Sequence, residues 1–553
     1  MLTASDPVYR RVTVMNVLML YPKFPEQTFW NTARSVKLLW GRKAIMPPLG
    51  LLTIASYLPE DFSLRLIDRN VAAEADSDWA WADVVFLSVM MAQRDDYREC
   101  VANAKMRGKP IAVGGPFTHA LPEDACVDAD WVCFGEAEDI MEQLVSDLRA
   151  DRRGQRYQGG AGTNMERIKI PRFELLPDVN DYATMALQFS RGCPFKCEFC
   201  DIIEIYGRVP RTKTPSQVCA ELAEVERLGF QGYIFLVDDN FIGNKRKAKD
   251  MLAELATWNR GHHYPFRYYT EASINLADDD ELLERMRQAG FFHVFIGIET
   301  PDPKLLKTTQ KMQNIPGSPL AKLARVRRQG LHVTAGFIVG FDGEKRGVFE
   351  AQRQFIQASG IGVAMVGLLQ AIPHTQLSRR LKAEGRLLET LSSTGNHTVE
   401  GINFIPKGEM TKREYLESYR ELVRDIFQPR AYFARTVPAL LELQARTPLR
   451  AVRRHGAQLF RVLLKESYYF GLRAQAIRFY FWQALWQILW KRPAALESFV
   501  FDCAVFHHLH QHADHIQREL AQYLSTPHPD DVLDAVIDPN DAPASHRMGA
   551  VGG

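Results

Sequence analysis

The sequence predicts an α/β protein with three parts: an N-terminal doubly wound Rossmann-like domain, a central partial (β/α)6 barrel and a mainly helical C-terminal domain. Three observations support this. Short apolar runs alternate with amphipathic stretches twice along the chain, which is typical of buried parallel strands connected by helices. A segment rich in Gly, Arg and Asp separates the two alternating regions. Beyond about residue 410, strand signals become rare and helical signals dominate.

The elements follow in order along the chain. The N-terminal domain, residues 12–150, contains the runs VTVMNVLML, LGLLTIASYL, LRLID, VVFLSV, CVANAKMRG, PIAVGG, WVCFG and IMEQLVSDLRA. Residues 151–181 show little periodicity and are predicted to be a linker. The barrel, residues 182–390, has strand candidates at MALQF, YIFLV, FRYYTEA, HVFIGIE, VTAGFIVG and AMVGLLQA. Residues 391–524 form the helical domain, and residues 525–553 have the composition of a disordered tail.

Composition narrows the class of protein. The 553 residues carry 68 basic and 66 acidic side chains, a balance that argues against nucleic-acid binding through bulk charge. The 8 cysteines are too sparse for a disulfide scaffold, which favours a reducing, cytoplasmic location. No segment supplies the roughly 18–20 continuous apolar residues of a membrane span. The apolar run after Arg11 lacks a cleavage site, so we predict a first strand there and not a signal peptide.

Three cysteines carry the strongest chemical signal. Cys193, Cys197 and Cys200 form a C-x3-C-x2-C array directly after the strand MALQF. Three thiolates on one loop can hold an iron–sulfur cluster and leave one iron without a protein ligand. Structural zinc, or unrelated buried thiols, is the alternative. Zinc normally needs a fourth Cys or His, and the remaining cysteines form no second C-x2-C.

With Phe199 directly before the third cysteine, this loop resembles the signature of the radical S-adenosylmethionine (SAM) superfamily. The resemblance implies a [4Fe-4S] cluster on the three cysteines, with SAM chelating the open iron through its amino and carboxylate groups. It also implies cleavage of SAM to a 5′-deoxyadenosyl radical that removes hydrogen from an unreactive carbon. An electron donor such as flavodoxin or ferredoxin is then required.

Barrel enzymes place their ligands at the carboxyl ends of the strands, and polar residues or glycines end each predicted strand here. The resemblance implies that the segment 238–240 receives the SAM amino group, that Glu299 faces the ribose, and that Gln370 lies near the adenine. Each residue alone could equally be a strand-end cap. The candidate SAM contacts are Phe199, Asp238, Asp239, Asn240, Glu271, Glu299, Gly336, Gly340 and Gln370.

The N-terminal domain resembles the cobalamin-binding domain of a radical SAM subfamily. The segments PPLG, VGGPF and FGEAED carry this resemblance, because glycines at the carboxyl edge of a doubly wound sheet let a large cofactor approach the backbone. The candidate cobalamin contacts are Ser88, Gly114, Gly115, Gly135 and Glu136. The chain lacks D-x-H-x-x-G, so the resemblance implies cobalamin with its own base displaced and no histidine ligand. A cofactor-free domain is the alternative.

Two features of the helical domain have competing interpretations. The stretch AIRFYFWQALWQILW is apolar on all sides, which favours a buried core, although the flanking Arg478, Lys491 and Arg492 also suit peripheral contact with a membrane. His508, His512 and His515 share one helical face. We interpret them as a polar face and not as a metal site, because no carboxylate stands at ligand spacing.

The whole chain resembles cobalamin-dependent radical SAM methylases that act on hopanoid lipids and on bacteriochlorophyll side chains. The segments VDDNFIGN and CEFCDI, followed by IYGR, are most like the hopanoid methylases. The implied function is methyl transfer to an unactivated carbon of a lipid or other small molecule. One alternative is a radical rearrangement, cyclisation or oxidation without methylation. Another is a non-catalytic iron–sulfur sensor of redox state or corrinoid.

Overall fold

A computed structural model describes residues 14–160, 162–388, 401–444 and 449–526, with side chains from residue 456 onwards in the last range. The N-terminal domain is a six-stranded parallel sheet with the order β2-β1-β3-β4-β5-β6. Its strands are β1 (Met15–Tyr21), β2 (Phe62–Asp68), β3 (Val84–Ser88), β4 (Ile111–Gly114), β5 (Trp131–Phe134) and β6 (Gln155–Gln158). Its helices are α1 (Ala33–Trp40), α2 (Leu49–Ala55), α3 (Asp76–Trp81), α4 (Arg94–Met106), α5 (Pro116–Ala120), α6 (Pro122–Val127) and α7 (Met141–Arg149).

Alternate residues of β1 enter two different cores, as a doubly wound sheet requires. Val17 and Met19 belong to a large core that continues into the rest of the molecule, whereas Leu18 and Leu20 belong to a smaller core on the opposite face. Successive side chains of a strand point to opposite faces, so both faces of this sheet are covered. The predicted Rossmann-like architecture is confirmed.

The segment 151–181 differs from a plain linker. Its residues 155–158 form β6, which pairs in parallel with β5 and extends the N-terminal sheet. The Tyr157 hydroxyl donates to Asp147 at 2.7 Å and fixes this edge strand against α7. The strand sequence QRYQ is short and mostly polar, so it lacks the apolar run by which buried strands are recognised.

The second parallel sheet is a curled half-barrel with the order β14-β13-β12-β11-β10-β7, and all six predicted strands are present. The strands are β7 (Thr184–Leu187), β8 (Ser190–Arg191), β9 (Arg211–Thr212), β10 (Gly232–Leu236), β11 (Phe266–Ala272), β12 (Phe291–Glu299), β13 (His332–Val339) and β14 (Ala364–Leu368). The short strands β8 and β9 pair antiparallel on either side of the cysteine loop. The helices are α8 (Ile202–Ile205), α9 (Pro215–Arg227), α10 (Lys245–Gly261), α11 (Asp280–Ala289), α12 (Pro303–Thr308), α13 (Pro319–Arg328), α14 (Val348–Ser359) and α15 (Gln376–Ala383).

The C-terminal part is helical, as predicted. Its helices are α16 (Lys412–Ile426), α17 (Pro429–Glu442), α18 (Leu449–Tyr468), α19 (Arg478–Lys491) and α20 (Leu496–Leu524). The long helix α20 contacts the half-barrel, because Arg267 donates to Glu497 at 3.0 Å and Asp502 lies 3.1 Å from His332. Within the described part of the chain, no helix has the length and apolar character to cross a membrane. The predicted disordered tail lies outside the described residues from residue 527 onwards.

Candidate active site at the carboxyl ends of the barrel strands

The three cysteines lie on the loop that follows β8. This loop starts at Gly192, which has a φ of +91°, a value that glycine adopts more readily than other residues. A Cβ at this position would also lie 3.0 Å from the Gly207 carbonyl oxygen. The glycine therefore lets the loop fold back closely on the chain after α8. This turn brings the first cysteine beside the carboxyl ends of the neighbouring strands.

Two side-chain amides point at the cysteine sulfurs. The Asn240 Nδ2 lies 3.8 Å from the Cys193 Sγ, and the Gln313 Nε2 lies 3.6 Å from the Cys197 Sγ. Burial raises the pKa of Cys193 and of Cys200, so these thiols ionise only when something offsets their lost hydration. Three thiols on one loop with amide donors to sulfur match the donor set and hydrogen bonding of an iron–sulfur cluster. The residues present therefore fit a cluster with one open iron.

Three carboxyl groups meet at the carboxyl ends of strands β10 and β11. Glu271 is the penultimate residue of β11, and Asp238 and Asp239 come just after β10. Burial raises the pKa of Asp238 to about 6, of Asp239 to about 7 and of Glu271 to about 8, and for Asp239 and Glu271 the neighbouring carboxylates add to the rise. Asp238 accepts hydrogen bonds from the backbone and hydroxyl of Ser190, so it fixes β8 ahead of the cysteine loop. The buried Oδ2 of Asp239 has no hydrogen-bond partner in the described residues. This cluster is suited to a cationic ligand.

Glu299 ends β12 in a strained conformation. Its φ is +64°, and the pairing of β12 with β13 shifts register between Gly297 and Glu299. Its carboxylate pairs with the Lys311 ammonium, which also lies 5.9 Å from the centre of the Phe199 ring. Sequence reasoning missed Lys311, because it follows α12 and ends no strand. The pair links the residue before Cys200 to the end of β12.

The remaining candidate SAM contacts lie on β13 and after β14. A Cβ at Gly336 would lie 3.0 Å from the Phe295 ring, so glycine leaves room for that ring. The Gly340 backbone donates to Glu344 at 2.8 Å, and burial raises the pKa of this carboxyl to about 8. Gln370 donates to the Gly401 carbonyl at 3.0 Å. Glu344 is a second residue that sequence reasoning missed.

Aromatic side chains line one face of the half-barrel next to these polar groups. Phe235 and Tyr269 stack with centroids 4.6 Å apart, and Tyr269 lies 5.6 Å from His293. Trp30, from the loop before α1, reaches across to Phe295 at 5.5 Å. We call these five residues the aromatic wall. Phe235, Tyr269 and His293 occupy paired positions on three neighbouring strands. Phe295 follows two positions after His293 on the same face, and Trp30 comes from a loop. No single strand marks this face as a site.

The candidate cobalamin residues divide into two groups. Ser88, Gly114, Gly115 and Gly135 lie at the carboxyl edge of the N-terminal sheet. Gly115 has a φ of +98°, and a Cβ there would lie 2.7 Å from the Val89 carbonyl oxygen. The turn after β4 can therefore pack against the end of β3 only with glycine at this position. This edge fits a cofactor that is bound largely through backbone contacts.

Glu136 has a different environment from the glycines beside it. Its side chain is fully buried, and its carboxylate oxygens lie 2.8 Å from Arg191 and 2.8 Å from Arg211. Arg191 also donates to Glu138 at 2.6 Å. The charge of Glu136 is therefore directed at the barrel, and we call Glu136, Glu138, Arg191 and Arg211 the ionic cluster. It joins the edge of the N-terminal sheet to the strand that precedes Cys193.

The histidines of α20 are held by hydrogen bonds. His508 contacts the carbonyl oxygens of Thr28 and Phe29, each at 2.9 Å, and His515 lies 3.2 Å from Glu519. In the described ranges, no group of three or more His, Cys, Asp and Glu side chains is arranged to hold a single metal ion. His508 therefore ties α20 to the N-terminal loop. Glu519 stands four residues after His515 on the same helix, so a carboxylate does lie at helical spacing, contrary to the expectation from the sequence.

Family models match three consecutive parts of the chain. A B12 binding domain matches residues 40–145, the radical SAM superfamily matches residues 187–356, and a domain of unknown function (DUF4070) matches residues 375–522. The first match covers Gly114, Gly115 and Gly135 at the carboxyl edge of the N-terminal sheet. The second begins at the last residue of β7 and covers the cysteine loop and strands β10 to β13 of the half-barrel.

Curated relatives are similar over most of their length. An uncharacterized methyltransferase of Synechocystis sp. is 39% identical over 95% of this chain and 98% of its own. Hopanoid C-2 methylase of Rhodopseudomonas palustris is 35% identical over 76% of this chain and 79% of its own. Bacteriochlorophyllide d C-12(1)-methyltransferase of Chlorobaculum tepidum is 24% identical over 71% of this chain and 85% of its own.

Two solved structures share the fold. The cobalamin-dependent S-adenosylmethionine radical enzyme OxsB, with aqua-cobalamin and S-adenosylmethionine bound, aligns with a TM-score of 0.58 at 14% identity. The alignment covers 94% of this chain and 83% of OxsB. The radical S-adenosylmethionine methyltransferase TsrM from Kitasatospora setae aligns with a TM-score of 0.53 at 15% identity. It covers 68% of this chain and 80% of TsrM.

Proposed function

Because the chain belongs to the radical SAM superfamily, in the group with an N-terminal B12-binding domain, we propose that it methylates an unactivated carbon of an apolar small molecule. Its cofactors are a [4Fe-4S] cluster, SAM and cobalamin. When bound, the cluster and SAM supply a radical that removes a substrate hydrogen atom, and cobalamin supplies the methyl group. The chain's own residues hold these groups and exclude water.

The ionic cluster is the observation that carries the proposal. Glu136 follows Gly135 at the edge of the N-terminal sheet, and Arg191 stands two residues before Cys193. Their contact at 2.8 Å brings the edge suited to cobalamin against the loop suited to the iron–sulfur cluster. Methyl transfer to a substrate radical needs these two centres close to one shared cavity. The buried ion pairs support such an arrangement.

Each polar group then has a role that its surroundings support. Cys193, Cys197 and Cys200 ligate the cluster, while the amides of Asn240 and Gln313 donate to its thiolates. Asp239 and Glu271 face the cationic part of SAM, and Glu299 faces its ribose hydroxyls. Asp238 positions the cysteine loop through Ser190. Gly336, Gly340 and Gln370 line the adenosyl side, and Ser88, Gly114, Gly115 and Gly135 hold cobalamin.

The aromatic wall supports a lipid substrate of the hopanoid type. Fused apolar rings would bury well against Phe235, Tyr269 and Phe295, and a dry wall protects a radical from quenching. The similarity to hopanoid C-2 methylase points to the same chemical class. We place the enzyme in the cytoplasm, in peripheral contact with the inner face of the membrane, where it accepts electrons from a flavodoxin or ferredoxin.

The test is a cofactor and product analysis of anaerobically purified protein from cobalamin-fed cells. About four irons and one cobalt per chain are expected. With reductant, SAM and a hopanoid, equal amounts of 5′-deoxyadenosine and S-adenosylhomocysteine should form with the methylated lipid. Deoxyadenosine alone would indicate a non-methylating reaction, and a cluster spectrum unaltered by SAM would indicate a sensor. Cys197→Ala should abolish 5′-deoxyadenosine and the methylated lipid, whereas Cys219→Ala, on α9 outside the loop, should retain both.

A further inference from the structure

The end of α18, the turn after it and α19 expose an unusual number of large apolar side chains. We propose that this surface, called the docking surface below, binds the interfacial region of a bilayer that contains anionic lipids. The side chains are between 44% and 76% exposed. They are Phe460, Leu464, Tyr468, Leu472, Phe479, Trp482, Trp486, Leu489 and Trp490.

The docking surface is continuous across the two helices. Phe460, Leu464 and Tyr468 follow one another at four-residue spacing and therefore share one face of α18. The Trp482 Nε1 donates to the Gly471 carbonyl at 3.0 Å and joins α19 to the turn after α18. Trp486 and Trp490 then stack with centroids 5.8 Å apart and extend the surface along α19.

Helix α19 differs from an ordinary surface helix. One side of the helix is buried and is formed by Phe481, Ala484, Leu485 and Ile488. The sequence pattern favoured a buried core for the whole helix, but the structure buries this side alone. Its opposite side carries Phe479, Trp486 and Trp490 where a solvated helix has charged residues. Large contiguous apolar patches of this kind mark interaction sites. A helix of 14 residues is too short to cross a bilayer but long enough to lie in its interface.

The charge around the docking surface selects the partner. Between residues 457 and 495 the one acidic residue is Glu466, which is fully buried. The basic residues in this stretch are Arg461, Lys465, Arg473, Arg478, Lys491 and Arg492. Among the residues described, these basic side chains form no ion pair, although Lys465 and Arg492 donate to the backbone carbonyls of Leu38 and Leu441. A basic rim around tryptophans suits anionic headgroups, whereas a second copy would bring two positive rims together.

The docking surface is connected to the aromatic wall through α1. Lys465 of α18 donates to the Leu38 carbonyl of α1 at 3.3 Å. The loop that leads into α1 carries Trp30, which contacts Phe295 of the half-barrel at 5.5 Å. A bilayer on the docking surface would therefore lie beside an element that contacts the wall. The docking surface gives the peripheral membrane contact of the proposed function a location, and the use of this route by a substrate rests on the proposed methylation of a lipid.

Co-sedimentation of the full-length holoenzyme with vesicles tests the proposal. Wild-type protein should sediment with phosphatidylcholine vesicles that contain phosphatidylglycerol, and less with pure phosphatidylcholine or at high salt. Trp486→Ser with Trp490→Ser should lower the partition coefficient about tenfold or more. Arg461→Glu with Lys491→Glu should remove the preference for phosphatidylglycerol. Met106→Ser with Val127→Ser is the matched control, because these side chains are 77% and 76% exposed on the N-terminal domain.

Three results would overturn the inference. The first is wild-type protein that stays in the supernatant with both vesicle types, and the second is tryptophan variants that sediment like wild type. The third is a wild-type dimer that the tryptophan substitutions convert to a monomer while vesicle binding stays constant, since a second copy would then cover the surface. Circular dichroism verifies that each variant is folded. Vesicle binding is measured without turnover. Binding can therefore be absent while methyl transfer is observed, and methyl transfer can be absent while binding is observed.

Discussion

Glu136→Gln tests whether the ionic cluster holds the two halves of the active site together. The Glu136 side chain is fully buried and contacts Arg191 and Arg211, whose side chains are 11% and 16% exposed. Glutamine keeps the volume and one acceptor oxygen but removes the negative charge. Both guanidinium groups then lose a charged partner in a place with little water.

The size of the effect follows from what each arginine retains. Removing one partner of a buried ion pair costs about 3–5 kcal/mol of folding free energy. Arg191 keeps Glu138 and Gln188, at 2.6 and 2.8 Å. Among the described residues, Arg211 keeps the backbone carbonyls of Thr163 and Tyr206, at 2.7 and 3.0 Å, and no carboxylate. We therefore expect a loss near the lower end of that range, about 3 kcal/mol.

Anaerobic urea unfolding of wild type and variant measures this loss. Asp128→Asn is the matched control, because it breaks the exposed ion pair with Lys105 and should cost about 0–1 kcal/mol. Glu136→Gln should also lower the yield of methylated product relative to 5′-deoxyadenosine, since the cysteine loop loses its tie to the cobalamin edge. Equal stability of Glu136→Gln and Asp128→Asn, with unchanged product ratios, would refute the coupling role.

Three further predictions concern the two cofactor edges. Gly115→Ala should abolish cobalt retention after reconstitution, because the added Cβ would meet the Val89 carbonyl. Gly108→Ala is the control and should retain cobalt, because Gly108 has a φ of +63° and open space around it. Equal cobalt contents of the two variants would contradict the prediction. The affinity for SAM should rise between pH 6 and 9, because the carboxyl groups of Asp239 and Glu271, with pKa values of about 7 and 8, become anionic in that range. Calorimetry should show that Glu271→Gln makes this rise smaller. A wild-type affinity that does not change with pH would count against the prediction. Glu271 keeps its proton up to about pH 8 in the folded protein and only up to about pH 4.5 in the unfolded protein. The unfolding free energy of the apoprotein should therefore fall as the pH rises across that interval. Glu271→Gln should reduce the slope of unfolding free energy against pH.

Local sequence patterns predicted the strands and the cysteine loop well. Buried parallel strands are continuous apolar runs, so all six barrel strands could be located. Their carboxyl ends led us to Asp239, Glu271 and Glu299, whose contact with SAM stays a prediction. The partner of Glu136 could not be predicted, because Arg191 lies 55 positions away and becomes a neighbour only after both sheets form. Lys311 was missed because it follows α12 and ends no strand. The pairing of its ammonium with Glu299 depends on how the chain after α12 turns back.

The limits of pattern reasoning are clearest at α19. Its residues are apolar around the whole circumference, so periodicity could not separate the side that packs on α20 from the side that faces outward. Strand β6 shows the opposite limit. Its four residues are mostly polar, and only pairing with β5 makes them a strand. In both cases the tertiary neighbours decide the structure.

The position of β6 also bears on how this protein can be cut and recombined. A module boundary at residue 150 would remove the last strand of the first sheet and leave β5 as an open edge, which is a template for aggregation. One core runs from Val17 through Leu187 to Phe506, so the three parts do not have separate interiors. Chimeras that exchange the first domain should therefore keep residues 151–181 with it and transplant the partners of Glu136 from the same parent. The three parts are therefore best kept together when the protein is divided or recombined.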